Sequence, residues 1–174
     1  MALMNKNMRW LVYVGIILST SFGLQSCHVY SFTGAAIEGK TINIHLIENK
    51  APLNVPTLSP TFTQKLRQRI ISQSSLSQLN SETTDYVIEG YITNYDISVA
   101  AISGTETTSK NRLTIGVHID FKNMKNEKAN FSQNFSRFAD FNADQNLQAI
   151  ENNLINDISD QLADDIFNKA FVNW

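Results

Sequence analysis

Residues 112–121 read Arg-Leu-Thr-Ile-Gly-Val-His-Ile-Asp-Phe, and apolar side chains recur at every second position of this stretch. A period of two is the pattern of a β-strand with one face buried and the other exposed. The stretch therefore predicts a strand on which the rest of the domain is assembled. Its inward side chains are expected to be Leu113, Ile115, Val117, Ile119 and Phe121, and its outward ones Arg112, Thr114, His118 and Asp120.

Residues 85–98, which precede this strand, predict a second and longer one. Gly90 lies inside it, and a glycine within a strand indicates either a bulge or the close packing of another element, here a helix. Alternation divides the strand into two sides. One side is predicted to hold Tyr86, Ile88, Gly90 and Ile92, and the other Val87, Glu89, Tyr91, Thr93 and Tyr95.

Two further strands complete the predicted sheet. Residues 41–46 alternate in the same way, which indicates a half-buried strand. Residues 122–128 are polar and predict a hairpin loop, after which the chain returns as the last strand. The apolar positions are Ile42, Ile44 and Leu46 in the first strand and Phe131, Phe135 and Phe138 in the last.

Two amphipathic helices are predicted from apolar residues spaced three or four apart. The first covers residues 59–74, with Ser59 as its N-cap and Pro60 at its first helical position. The second follows a capping box at residues 142–145 and runs nearly to the C-terminus. Their core positions are Leu58, Phe62, Leu66 and Ile70 in the first, and Leu147, Ile150, Leu154, Ile158, Leu162 and Ile166 in the second, which Ile155, Phe167, Phe171 and Trp174 widen.

The order of these elements is strand, helix, three strands, helix. We expect an α+β fold (β-α-β-β-β-α) in which both helices pack on one face of a mixed four-stranded sheet. Residues 41–174 are sufficient for a single domain of this kind, and the sequence contains no internal repeat.

The N-terminal segment is predicted to direct export. Lys6 and Arg9 precede an uncharged apolar run at residues 10–24, which is shorter than the 20 or so residues of a membrane span. The tetrapeptide Leu24-Gln25-Ser26-Cys27 resembles the lipobox of bacterial lipoproteins, in which the cysteine is acylated and becomes the first residue of the mature protein. The alternative is an ordinary signal peptide or an anchor helix, with Cys27 incidental. We expect a signal at residues 1–26 and a lipidated tether at residues 27–40.

Composition excludes several other classes of protein. The 174 residues carry a net charge of −2, and a nucleic-acid-binding protein needs a surplus of basic side chains. One cysteine, Cys27, allows neither a disulfide within the chain nor a four-thiolate zinc site. Removal of residues 1–26 takes away Lys6 and Arg9 and no acid, so the net charge falls to −4. Attachment to a membrane must therefore depend on the lipid rather than on a polybasic patch.

Few residues indicate catalysis. Asp157, Asp160 and Asp164 share one face of the last predicted helix, which suggests either a divalent-cation site or, more simply, a solvated acidic surface. The histidines lack the spacing of metal ligands, and no nucleophile elbow, phosphate loop or pair of catalytic acids occurs. We expect a protein that is not an enzyme and that needs no metal or cofactor.

Three polar segments are candidates for binding. The cations of the first helix (Lys65, Arg67 and Arg69) form either a partner site or a solvated face. Residues 99–109 form a connection longer than a hairpin needs, and Lys110 and Arg112 at its end are candidates for phosphate binding, with disorder or local salt bridges as the alternative. In the last strand, residues 136–141 stay open to a binding role, and the favoured alternative is that Arg137 and Asp140 pair with each other.

The mature chain resembles the LPS-assembly lipoproteins of the LptE type, in the form found among Bacteroidota. No single motif carries the resemblance; it depends on a set of short segments in the right order. These are Cys27 followed by residues 30–35 (Tyr-Ser-Phe-Thr-Gly-Ala), Leu58-Ser59, Phe62-Thr63, residues 89–92 (Glu-Gly-Tyr-Ile), residues 111–115 (Asn-Arg-Leu-Thr-Ile), residues 135–140 (Phe-Ser-Arg-Phe-Ala-Asp), residues 165–168 (Asp-Ile-Phe-Asn) and Asn173-Trp174.

The resemblance implies a role at the outer membrane. Proteins of this family sit as a plug inside the LptD β-barrel, assist its assembly, and are thought to contact lipopolysaccharide. By this resemblance the chain would be a lipid-anchored outer-membrane protein facing the periplasm. Residues 99–109 would reach furthest into the barrel, and Lys110 and Arg112 would contact lipopolysaccharide phosphates.

Two other functions stay open on the sequence. One is a different envelope-assembly lipoprotein, accessory to a secretion pore or to barrel insertion. The other is a lipoprotein that binds or modifies envelope glycans, which predicts a deep pocket lined by carboxylates or aromatic rings.

Overall fold

Six strands, two α-helices and one short 3₁₀ turn make up the described part of the chain in a computed structural model, which describes residues 37–81, 83–100 and 109–172. The strands are β1 (Thr41–Ile44), β2 (Glu48–Asn49), β3 (Ser77–Gln78), β4 (Tyr86–Val99), β5 (Lys110–Asn123) and β6 (Phe131–Asn142). The helices are α1 (Leu58–Gln73) and α2 (Leu147–Phe171), and the 3₁₀ turn is Glu127–Ala129.

The six strands form one mixed sheet in the order β3-β1-β4-β5-β6, with β2 pairing beside β4. Strands β4, β5 and β6 are antiparallel neighbours, whereas β1 runs parallel to β3 and β4. The α+β class and the mixed sheet are as predicted, but the count of four strands is wrong. Strands β2 and β3 have two residues each, too few to show any alternation in the sequence.

The core lies between the sheet and the two helices. All five inward side chains predicted for β5 are at most 1% exposed, and they join the apolar residues of α1 and α2 in one cluster. The predicted core positions of α1 are fully buried as well. Leu46 is an exception: β1 ends at Ile44, and the Leu46 side chain is 56% exposed.

A β-bulge interrupts the alternation of β4. The pairing register with β5 shifts between Ile92 and Asn94, so the side chains beyond that point exchange faces. Tyr95, predicted on the side opposite Ile92, is therefore in the core, 4% exposed, where its hydroxyl donates to Glu151 Oε1 of α2 at 2.7 Å. Burial, reinforced by that carboxylate, raises the pKa of Tyr95.

Gly90 marks neither the bulge nor the close approach of a helix. A Cβ atom at this position would overlap the carbonyl oxygen of His118 on the adjacent strand β5. The glycine is required because the two strands approach each other closely, and both of the predicted reasons for it are wrong.

Both helices begin at a different residue from the one predicted. Helix α1 begins at Leu58 with Thr57 as its N-cap, and Ser59 instead donates its hydroxyl to the carbonyl of Ile47 at 2.6 Å. The Asn142–Gln145 capping pair forms, at 3.1 Å, but the helix itself begins at Leu147. Asn146 is its cap, and the Asn146 side chain accepts from Gln148 N at 3.0 Å. Polar residues before a helix offer several capping sites, and local sequence does not choose among them.

The carboxylate of Asp85 joins three parts of the chain. It accepts the backbone N–H groups of Lys40 at 2.8 Å and Thr41 at 3.1 Å, and Lys125 Nζ lies 3.0 Å from its other oxygen. These contacts tie the start of β1 to the start of β4 and to the β5–β6 turn. The Lys40 amide, together with Lys125, holds the pKa of Asp85 well below its usual range.

Asp85→Asn is expected to lower the thermal stability of the protein at pH 7. A folded-state pKa below the unfolded value of about 3.9 stabilises the fold at higher pH, and this contribution is lost progressively as the pH falls below about 4. The difference in melting temperature between wild type and variant should therefore narrow from pH 4 towards pH 2. Asp96→Asn, at an exposed position of the same strand, is the matched control. An equal difference in melting temperature at pH 4 and pH 2 would contradict the proposed role of the Asp85 charge.

Candidate functional site

The sheet has one face that neither helix covers, which we call the open face. The alternation of β5 and β6 places polar side chains there, opposite one another across the two strands. The pairs in register include Arg112 with Asp140, Thr114 with Phe138, His118 with Asn134 and Asp120 with Ser132. The open face is thus mainly a surface of hydrogen-bonding groups, with the half-exposed ring of Phe138 among them.

Arg112 forms the strongest polar contact at one end of the open face. Its Nε and Nη2 donate to the two carboxylate oxygens of Asp140 at 2.7 and 2.9 Å, and its guanidinium stacks 3.6 Å from the centre of the Phe138 ring. Hydrogen bonds from Arg112, aided by the charge of Lys110, lower the pKa of Asp140 despite its partial desolvation. A phosphate that binds Arg112 must therefore compete with a bidentate carboxylate.

Lys110 begins strand β5 at the same end. Its carbonyl accepts from Ala100 N at 2.8 Å, directly after the end of β4. Residues 101–108, which follow, lie outside the described part of the chain. The two cations predicted to bind phosphate are thus two residues apart on one strand and face Asp140. Cys27 lies outside the described residues.

Asp140 and Phe138 complete this cluster, and the sequence predicts neither of them as a neighbour of Arg112. That these two residues lie on the same face could be predicted, because residues two apart on a strand point to the same side. Register between strands decides which residue of β5 they meet, and that register is a property of the folded sheet.

The predicted pair between Arg137 and Asp140 is wrong. Residues three apart on a strand point to opposite faces, so Asp140 meets Arg112 on the open face. Arg137 points to the helix side, where its Nε and Nη2 contact Asp165 of α2 at 2.5 and 2.6 Å. The Arg137–Asp165 pair joins β6 to α2.

Two of the three cations of α1 form ion pairs with two of the three aspartates on the acidic face of α2. Lys65 Nζ lies 2.8 Å from Asp160 Oδ2, and Arg69 forms an ion pair with Asp164. The third cation of α1, Arg67, donates to the carbonyl of Ile44 at 2.7 Å. The helices pack side by side, so the basic edge of one meets the acidic edge of the other. Within residues 37–81, 83–100 and 109–172 no cluster of His, Cys, Asp and Glu could hold a metal ion.

His118 lies in the middle of the open face, facing outward as predicted. Its Nδ1 is 2.7 Å from Asn134 Oδ1 and its Nε2 is 3.1 Å from Ser132 Oγ. Its ring lies 5.2 Å from that of Tyr91. Nearby, a broad depression of about 450 Å³ opens along the sheet. Its lining residues are Glu89, Asp120, Phe121, Lys122, Asn130, Phe131 and Ser132.

No helix in the described ranges has both the length and the apolar character needed to cross a membrane.

Solved structures share this architecture at low sequence identity. A minor lipoprotein from Acinetobacter baumannii is 14% identical, with a TM-score of 0.50 over 75% of this chain and 91% of that one. A neuraminyllactose-binding hemagglutinin homolog from Helicobacter pylori is 9% identical, with a TM-score of 0.51 over 79% of this chain and 86% of that one. At these identities the likeness concerns the fold. No curated protein matches this sequence.

A family match extends over nearly all of the described fold. The LptE family, described as lipopolysaccharide-assembly, matches residues 39–170. This range begins at Gly39, whose N–H donates to the hydroxyl of Tyr86 at 3.1 Å, and ends in the last turn of α2. The chain therefore belongs to the LptE family, whose members act in lipopolysaccharide assembly.

Proposed function

We propose that this protein is an outer-membrane lipoprotein, anchored through Cys27 and facing the periplasm, which acts without catalysis as plug and assembly partner of an LptD-type β-barrel. The observation that carries the proposal is the LptE match over residues 39–170. The proposal includes a cleaved signal at residues 1–26, a lipidated tether at residues 27–40 and one domain at residues 41–174.

The open face supports a role as a plug. The interior of a large outer-membrane barrel is polar and wet. A domain that fills it needs a surface of hydrogen-bonding groups with few uncompensated charges, and on the open face the cations Arg112 and Lys122 are paired with Asp140 and Glu89. Such a surface lies against a polar wall without the cost of burying a lone charge.

The length of β4 supports an orientation within the barrel. The chain enters the fold beside Asp85, at the start of β4, and the strand ends at Val99, where the connection of residues 99–109 begins. Fourteen residues of strand, at about 3.3 Å each, extend about 45 Å. A lipid at Cys27 would hold the first end near the periplasmic leaflet and raise the effective concentration of the domain near its barrel. Residues 99–109 would then reach furthest into the lumen.

Lys110 and Arg112 would contact lipopolysaccharide phosphates at that far end. Arg112 can do so by exchanging the Asp140 carboxylate for a phosphate, which presents the same bidentate geometry. Phe138, which stacks on the guanidinium, would hold it in place during the exchange. The Arg112–Asp140 pair thus provides a preformed but closed anion site.

Cys27→Ala is expected to abolish acyl labelling and to release the protein from membranes, because the remaining chain is acidic and the lipid must carry the attachment. Metabolic labelling with a palmitate analogue and membrane fractionation measure both effects. Ser31→Ala, four residues further along, is the control and should label normally. Unchanged labelling of Cys27→Ala would refute lipidation.

Affinity purification of the full-length protein from detergent-solubilised outer membranes tests the partner. We expect an LptD-type barrel to co-purify in equal amount. Recovery of a secretion-pore or barrel-insertion complex instead would assign the chain to another envelope-assembly role. Recovery of glycan with no barrel would support the glycan-binding alternative.

Arg112→Gln and Asp140→Asn are expected to change lipopolysaccharide binding in opposite directions. Loss of the guanidinium should weaken binding several-fold, whereas loss of the competing carboxylate should strengthen it. Lys50→Gln, at an exposed lysine stacked on Tyr91, is the control and should leave binding unchanged. Binding of fluorescent lipopolysaccharide to the purified lipoprotein measures this. If the wild type and the three variants bind lipopolysaccharide with equal affinity, Arg112 and Asp140 are not part of the contact.

A further inference from the structure

Strand β6 forms one edge of the sheet. In the described part of the chain it pairs with β5 and with no other strand, in an unbroken register from Phe131 to Asn142. Residues 132–134 and 136–138 are exposed, so helix α2 does not cover this edge. Residues 136–141 are also the segment of the last strand that the sequence leaves open to a binding role.

The hydrogen bonds at the end of β6 show which of its backbone groups point away from β5. Ala143 N, directly after the strand, donates to Ser109 O at 3.0 Å, and opposite residues of an antiparallel pair are alternately bonded and non-bonded. The odd-numbered residues of β6 therefore bond to β5, and the N–H and C=O groups of the even-numbered ones point outward. Asn142 agrees with this, because its N–H donates to Gln145 Oε1 at 3.1 Å and its C=O accepts from Gln145 N at 3.0 Å. Gln145 thus closes the edge at one end.

We call the stretch from Ser132 to Asp140 the free edge. At about 3.3 Å per residue it is about 30 Å long. Within the described ranges, none of its outward N–H and C=O groups bonds to another residue. These groups belong to Ser132, Asn134, Ser136, Phe138 and Asp140.

The free edge is unprotected. Folded proteins usually protect the edges of their sheets, because an unpaired edge binds other strands. The opposite edge, β3, has two residues only, which is one form of protection. The free edge contains no proline and no lysine, its register shows no bulge, and its one charge on the helix side, Arg137, is paired with Asp165. An unprotected edge of this length indicates a partner that supplies a strand.

We propose that the free edge binds an extended segment of the barrel partner, which adds to the sheet beside β6. The inference rests on the proposed function and states how the two proteins bind. In a closed barrel each strand is already bonded on both sides, so the segment comes from a loop or a terminal extension of the barrel protein. It lacks proline where its N–H groups face β6. It is polar on both sides, because the exposed side chains beside it are polar apart from Phe138.

A second copy of this chain fits the free edge less well. Of the strands, α2 packs mainly against β6, where Asp165 contacts Arg137. Paired strands lie about 4.8 Å apart, whereas packed helices need about 8–10 Å between their axes. Two copies joined through β6 would therefore bring their α2 helices too close together. A single strand brings no helix with it.

Substitutions at Ser136 test the outward hydrogen bonds. Ser136→Pro removes an outward N–H and leaves the β5–β6 bonds intact, because that N–H does not bond to β5. Ser136→Ala, which keeps the N–H, is the matched control, and the two variants should melt within a few degrees of each other. In affinity purification of the full-length lipoprotein from detergent-solubilised outer membranes, we expect Ser136→Pro to recover several-fold less barrel than Ser136→Ala or the wild type.

Hydrogen exchange, measured amide by amide, distinguishes a bound strand from a contact made by side chains alone. We expect the amides of Asn134, Ser136 and Phe138 to exchange at least about ten-fold more slowly in the purified complex than in the lipoprotein alone, because each gains a hydrogen bond. The amides of Phe135 and Arg137 already bond to β5 and should change little.

Three other results would overturn the inference. Equal recovery of the barrel by Ser136→Pro and Ser136→Ala, with the even-numbered amides still in fast exchange, overturns it and leaves the proposed function standing. Recovery of no barrel by the wild type overturns both. Slow exchange of the even-numbered amides in the lipoprotein alone also overturns it. That result assigns the edge to another segment of this chain if the protein is monomeric, and to a second copy if it is dimeric.

Discussion

Strand β5 is hydrogen-bonded to β4 on one side and to β6 on the other over most of its length. From Leu113 to Phe121, every second side chain on it is buried. Full burial of one aliphatic or aromatic side chain contributes about 1.5–3 kcal/mol. A slip of one residue in register would exchange the buried set for a polar one. This alternation decides which face of the sheet takes both helices, and so which face stays open.

The parts of the fold that could be predicted from sequence are those with a repeated pattern. The five inward positions of β5 and the four core positions of α1 recur with a regular period, so their burial follows from local residues alone. The bulge after Ile92 breaks that period with no marker in the sequence, which is why strict alternation assigns Tyr95 to the wrong side of the strand. The strands β2 and β3 are held by backbone pairing with β4 and β1, which side-chain patterns do not record.

Ionic contacts were the least predictable part of the candidate site. Arg112 with Asp140, Arg137 with Asp165 and Lys65 with Asp160 each join residues at least 28 positions apart. Local sequence offers nearer partners, such as Asp140 for Arg137, and strand geometry rules these out. Charges that looked available in the sequence are largely used to connect elements. The family match covers residues 39–170 and therefore includes both partners of each of these ionic contacts.

The bulge in β4 also decides where this strand can change in length. Between Ile92 and Tyr95 the removal of the one extra residue would restore simple alternation and leave Tyr95 opposite Ile115, in the core and within reach of Glu151. Elsewhere in β4 the removal of one residue would exchange the buried and the exposed sides of the strand. The bulge is therefore a point at which the strand can lose a residue without any change to the core.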